Sequence, residues 1–314
     1  MEIRVVAKDD DGIRLDRWFK RHLPHVSHGE LQKALRKKLV RVDGARAESN
    51  TTISAGQELK IAPFLFEVKE EALKPKKPRG LSPEKIRETQ SWVIYEDKDI
   101  LVVNKPAGLA VQGGSGVTDH LDGRLVALQA SYPTPPKLVH RLDRDTSGVM
   151  VLGRTAKAAA KLADAFRHRD TQKTYWALVA GVPHPPEGEL ESKLEKAERG
   201  GGKEKMRMTE DGKRAITLYR TIDHLLGTLA WMELVPITGR THQLRVHMAE
   251  LGCPIVGDGK YGGQSAFIEG MDLAPQVHLH ARSLQLPYYP LFTAPLPRHM
   301  KQSFKECGFV EADG

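Results

Sequence analysis

Residues 138–155 read LVHRLDRDTSGVMVLGRT. An apolar run enters a polar bend, and a second apolar run, GVMVLGR (148–154), leaves it. Short apolar runs rich in β-branched residues read as buried strands, so a strand–turn–strand unit is predicted with its polar residues displayed at the bend. The bend holds two carboxylates, Asp143 and Asp145, beside Arg141 and Arg144, and Gly148 permits a sharp exit. Side chains on a loop carried by two buried strands stand on a rigid platform, which suits functional groups. The bland alternative is that the carboxylates cap the turn and pair with the arginines.

Outward from this unit the pattern continues. KLVHRL (137–142), ILVVNK (100–105) and KTYWALVA (173–180) are predicted strands, and AKAAAKLADAFRHR (156–169) is a predicted helix. THQLRVHMAELG (241–252) is a second helix, stopped by Gly252 and Pro254. Strands and helices alternate irregularly. That favours an α+β domain over residues 91–314, built on a mixed, mostly antiparallel β-sheet flanked by helices, over a doubly wound parallel sheet. Residues 184–213 are polar and include Gly200, Gly201 and Gly202; they read as an exposed loop or hairpin extension.

Residues 1–65 read as a separate small α/β domain. IRLDRWFKRHL (13–23) has helical apolar spacing, and Ser27 with Glu30 forms a capping box that opens a second helix, ELQKALRKK. LVRVDG alternates like a strand and ends in Asp43-Gly44, a hairpin signal, and GQELKIA (56–62) returns as another strand. This segment holds 13 Lys and Arg against 9 Asp and Glu. Lys33, Arg36, Lys37, Lys38 and Arg41 cluster in one helix and the strand after it, a solvated face or a set of point charges for a phosphate backbone. Residues 66–90, with Pro75, Pro78, Pro83 and dense mixed charge, read as a linker.

The chain has 314 residues, room for two domains, with 40% hydrophobic and 28% charged residues. No apolar run approaches a membrane span, and the Asp9–Asp11 cluster does not fit a secretory leader, so a cytoplasmic protein without a membrane partner is expected. Cys253 and Cys307 supply neither a disulfide scaffold nor a zinc spacing. The formal charge of +8 favours a polyanionic partner.

A second informative stretch is PITGRTHQLRVHMAELGCPIVGDGKYG (236–262). Arg245 lies between Leu244 and Val246 on a helix with an apolar face, so it needs a carboxylate partner, for which Asp143 is a candidate. His242 and His247 are five apart, not a helical metal pair, and His278 and His280 alternate on one strand without a third ligand. GDGKYGG (257–263) lacks the spacing of a nucleotide-binding loop. No cofactor and no metal are expected.

Taken in order, NKPAGLAVQGG (104–114), HRLDRDTSG (140–148) and TGRTHQLRVHMAELGCPIVGD (238–258) resemble the motif set of the RluA family of pseudouridine synthases. The N-terminal segment resembles the S-four-like RNA-binding domain that precedes the catalytic domain in the RluC and RluD branches. It departs from that domain's pattern where a glycine is usual: Lys38-Leu39 stands there, and a positive φ would strain Lys38. The resemblance implies that Asp143 is the essential carboxylate, that Tyr175 stacks on the target base and that Arg245 pairs with the aspartate. It also implies that Arg141 helps to displace the flipped base. Arg240, Lys33, Arg36, Lys37 and Arg41 are the further substrate-binding candidates, and Asp145 belongs to the motif without being the nucleophile. The implied substrate is structured RNA, large-subunit ribosomal RNA or a pre-ribosomal particle, with tRNA as the alternative, and a monomer is expected. The carboxylate would attack C1′, add to the base, or take the C2′ proton, and the sequence leaves these open. Two rival readings are a catalytically idle RNA-binding assembly factor and a glycosidic enzyme using Asp143 and Asp145 as an acid–base pair.

Overall fold

The structure, a computed structural model, describes residues 1–67, 80–114, 117–167, 170–197 and 205–311. The chain divides into two compact units, Met1–Gly80 and Leu81–Gly314.

The first unit contains β1 (Glu2–Val5), α1 (Leu15–His22), α2 (His28–Arg36), β2 (Val40–Val42), β3 (Ala45–Arg46) and β4 (Glu58–Ile61). Its strands form one antiparallel sheet in the order β1-β4-β2-β3. Both halves of the Ser27–Glu30 capping box form, so the entry of α2 is satisfied locally. Leu15, Trp18 and Phe19 of α1 and Leu31, Ala34 and Leu35 of α2 pack with Val40, Val42, Leu59 and Ile61 in one core. Lys38 sits at φ 60, so the turn does use the left-handed region, and a lysine carries the strain that glycine would avoid.

The expected linker spans residues 66–90. Residues 68–79 of it lie outside the described residues, and its last part is a helix, α3 (Pro83–Gln90). Pro83 opens that helix. At the first turn of a helix its missing N–H costs nothing, and Ser82 ahead of it accepts the Lys85 backbone N–H as a cap. Arg124, itself buried, ties α3 down by donating to Glu88 and, through two nitrogens, to Asp119.

The second unit carries β5 (Val93–Glu96), β6 (Ile100–Lys105), α4 (Leu121–Arg124), β7 (Lys137–Leu138), β8 (Ser147–Gly153), α5 (Ala156–Arg167), β9 (Gln172–Ala180), β10 (Glu187–Lys196), β11 (Met206–Met208), β12 (Lys213–Leu225), β13 (Leu229–Pro236), α6 (Gln243–Glu250), β14 (Leu279–Gln285), β15 (Leu291–Thr293) and α7 (Arg298–Glu306). Its strands form one eleven-stranded sheet, with the path β11-β10-β12-β13-β9-β14-β8-β6-β5 and with β7 and β15 attached to β8 and β14. Among the described pairings only β8–β14 is parallel, so the sheet is mixed and mostly antiparallel as expected. Alternation explains why β6 and β8 read as continuous apolar runs. Leu101, Val103, Met150 and Leu152 face one core, while Ile100, Val102, Val149 and Val151 face another with Leu162 of α5. Of the polar segment 184–213, Gly200, Gly201 and Gly202 lie outside the described residues; its described part pairs β10 with β11 and β12, and β10 alternates exposed Glu189, Glu191 and Lys193 with buried Ser192 and Leu194.

Two features place the central bend. Gly148 is needed less for a sharp exit than for contact: a Cβ there would lie 2.2 Å from the Ala281 carbonyl oxygen on the paired strand, and φ is +114°. The incoming strand is also only two residues long, not six. Beyond Leu138 the chain leaves the ladder, and the Val151 backbone N–H donates to Nε2 of His140 at 3.0 Å.

Candidate active site

The bend closes through Thr146, whose backbone N–H donates to the Asp143 carbonyl at 3.2 Å. A fully buried lysine fixes it from behind. Lys105, the last residue of β6, donates to the carbonyls of Pro106 and Leu109 at 2.8 Å and of Arg144 at 3.1 Å. Three acceptors match the three donors of an ammonium. Burial pushes this amine down to about 7, with the charges of Asp145 and Asp143 opposing the fall. Arg144 adds a second tie to the same loop through the Gly108 carbonyl at 3.0 Å.

Asp143 opens into a cavity of about 530 Å³ that Tyr175, Arg141, Lys173, Arg167 and Arg240 also line. Tyr175 comes from β9, where it pairs with Ala281 of β14 and Leu234 of β13. Its phenol is pushed up by burial and by the charge of Asp143, so it stays protonated. Burial also pushes the Asp143 carboxyl above the ordinary carboxylate value, against Arg245, Arg141 and Lys260, which pull it down. Desolvation outweighs the opposing cations at this carboxyl.

The partner of Arg245 also differs from expectation. Arg245 is buried on α6, and its guanidinium grips Asp258 with both arms, at 2.7 and 2.6 Å. Its third nitrogen is 3.9 Å from Asp145, and its Cζ lies over the Tyr261 ring, 5.3 Å from the ring centre. A planar fork takes the carboxylate that it meets edge-on, and that is Asp258. Toward Asp143 the arginine acts through its field.

Other predicted residues fall as follows. Arg141 is exposed at the cavity, and Arg240 lies just before α6, its Nε donating to the Arg214 carbonyl at 2.9 Å. Lys33, Arg36 and Lys37 are exposed in the N-terminal unit, whereas Arg41 is half-buried and turns back on the Lys38 and Gly44 carbonyls. His278 and His280 are buried and engaged with Ser303 and Ser147. The residues that the sequence reading overlooked are Lys105, Asp258 and Tyr261. The last two stand in GDGKYGG, whose mixture of turn glycines, an acid and an aromatic is the available signal; Asp258 also closes the motif at 238–258.

Residues 99–250 match the family model for RNA pseudouridylate synthase. The ribosomal large subunit pseudouridine synthase C of Rickettsia felis is 37% identical over 304 residues, which cover 94% of this chain and 96% of that protein. The chain belongs to the RNA pseudouridylate synthase family. The Vibrio cholerae synthase of the same name is 32% identical across 96% of each chain. The structure of human RNA pseudouridylate synthase domain containing 4 superposes with a TM-score of 0.61 at 28% identity, over 74% of this chain and all of that one. With these relatives the chain is an RluA-family synthase of the RluC-like branch, an isomerase that converts uridine in RNA to pseudouridine. The cavity lining brings together a carboxylate, Asp143, a tyrosine ring, Tyr175, and the cations Arg141, Arg167, Lys173 and Arg240.

Proposed function

We propose that this synthase isomerises uridines of large-subunit ribosomal RNA, as a monomer in the cytoplasm, with Asp143 as the catalytic carboxylate. One observation carries the assignment. Among the described residues lining the cavity Asp143 is the one carboxylate, and it stands with four cations, Arg141, Arg167, Lys173 and Arg240. Such a cavity draws a phosphodiester chain in and leaves a single anionic group to act on the sugar or the base. The RNA class rests on the names of the bacterial relatives.

In this reading a uridine leaves its stack, which costs a few kcal/mol, and enters the cavity. Asp143 acts while the bond from C1′ to N1 breaks. Tyr175 holds the loosened uracil by stacking as it turns, and Arg141 occupies the place left in the helix. C5 then joins C1′, and the C5 proton passes to solvent. Arg245 and Lys260 oppose the desolvation of the carboxylate that the bound RNA would deepen.

The test follows the leaving proton. With tritium at uracil C5, the protein should release label from large-subunit ribosomal RNA lacking the modification and leave tRNA unchanged. Release from tRNA alone would move the substrate to tRNA, and release from neither RNA by protein that binds both would favour an idle assembly factor.

The N-terminal unit is proposed to hold the RNA backbone through Lys33, Arg36, Lys37 and Arg41. Each duplex phosphate contact contributes about 0.9 to the slope of log affinity against log salt. Replacing all four by Ser should flatten that slope by roughly 2 to 4 while kcat on saturating RNA holds. An unaltered slope would make these residues a solvated face.

A further inference from the structure

His242 stands immediately before α6, at φ 53 and ψ 18. That is the left-handed region, where a β-carbon is crowded and glycine or asparagine is the usual occupant. A histidine is kept in such a conformation when something else fixes its ring. It is not helix capping, because the His242 side chain makes no cap hydrogen bond. The ring instead spans two groups of the site. Nδ1 is 2.7 Å from the Tyr261 hydroxyl, and Nε2 is 4.0 Å from Oδ1 of Asp143.

The Tyr261 hydroxyl sets the direction of this chain. It accepts the Met206 backbone N–H at 3.0 Å, which leaves its own proton to donate to Nδ1 of His242. An imidazole that accepts at Nδ1 carries its proton on Nε2, the nitrogen facing Asp143. The two rings meet edge to face, 5.6 Å apart, and the Tyr261 ring also backs the Arg245 guanidinium.

We infer that His242, oriented by Tyr261, is a positioning residue for Asp143: its Nε2–H takes one carboxylate oxygen as the site closes on a uridine and leaves the other oxygen aimed at the nucleotide. This inference rests on the reading of Asp143 as the catalytic carboxylate. The closing movement is small, about 1 Å from the present separation to a hydrogen bond. Fixing one oxygen matters because a carboxylate free to rotate offers its lone pairs in many directions, of which few meet the reacting atom.

The test uses full-length protein under single turnover with saturating tritium-labelled RNA. His242→Asn tolerates the left-handed backbone and can still meet Tyr261, but it has no group at the position of Nε2. It should slow release about 10- to 100-fold with RNA affinity within about two-fold of wild type. His242→Gln, whose amide nitrogen can occupy that position, should recover part of the rate. Tyr261→Phe should slow release less, and the double variant His242→Asn, Tyr261→Phe should be no slower than His242→Asn, because the tyrosine acts through the histidine. Wild-type rate in His242→Asn, a loss that lies in RNA affinity alone, or additive effects in the double variant would overturn the inference. Asp143→Asn run alongside separates the two failures: if it is inactive while His242→Asn is fully active, only this inference falls, and if it keeps wild-type turnover, the reading of Asp143 falls first.

Discussion

Asp143→Asn is expected to lower single-turnover tritium release by more than about 10³-fold, with RNA affinity within about two-fold of wild type. The size follows from the chemistry. Attack at C1′, addition to the base and removal of the C2′ proton all need an ionised oxygen, and an amide supplies none of them. Folding should survive, because burial already works against the charge on this side chain, holding the Asp143 carboxyl above its ordinary value. Asparagine keeps that shape without the charge. RNA binding should survive as well, since the cations lining the cavity keep their places and one nearby anion is gone. Turnover per bound RNA equal to wild type would remove Asp143 from the mechanism.

Acidification is the second large effect. His247, His278 and His280 are essentially unexposed, and burial lowers each from 6.5 to about 4. Each already has a hydroxyl partner that suits the neutral ring: Ser192 and Thr217 for His247, Ser303 for His278, Ser147 for His280. The unfolded chain takes up protons at these rings near pH 6.5, and the folded chain does so only near 4. Between those values the unfolded state holds more protons, so the stability these rings contribute is lost as the pH falls from about 6.5 to 4. At pH 5 the linkage is about 2 kcal/mol for each histidine, roughly 6 kcal/mol for the three, before any carboxylate titrates. That approaches the whole stability of many domains. Urea unfolding followed by tryptophan fluorescence should show a midpoint that drops steeply between pH 7 and pH 5. A midpoint constant across that range would mean that these rings take up protons in the folded protein as readily as in the unfolded chain.

What could be read from the sequence was local. ILVVNK and KTYWALVA announced central strands because their apolar runs are short and β-rich, and the Ser27–Glu30 pair announced a helix start because both groups meet within one turn. Asp143 and Tyr175 were singled out through the resemblance, and they line one cavity. What depended on distant contacts was lost. Arg245 finds Asp258 thirteen residues away, across a loop whose path no periodicity reveals. Pro83 has opposite meanings inside a linker and at the first turn of a helix, and only the cap at Ser82 distinguishes them. The strand entering the bend stops at Leu138 because an imidazole takes the Val151 N–H, a substitution that apolar patterning does not register.

The order of strands carries a consequence for how this enzyme is made. β8, which follows the Asp143 bend, and β9, which bears Tyr175, are close in sequence, yet β14 lies between them in the sheet. During synthesis the earlier segments emerge first and can begin to pair, but the gap between those two strands stays unfilled until residues 279–285 have left the exit tunnel. The Asp143 carboxylate and the Tyr175 ring therefore reach the separation they have in the folded sheet only after residues 279–285 have been made. A nascent or prematurely terminated polypeptide, surrounded by the ribosome's own RNA, carries both groups but not the catalyst.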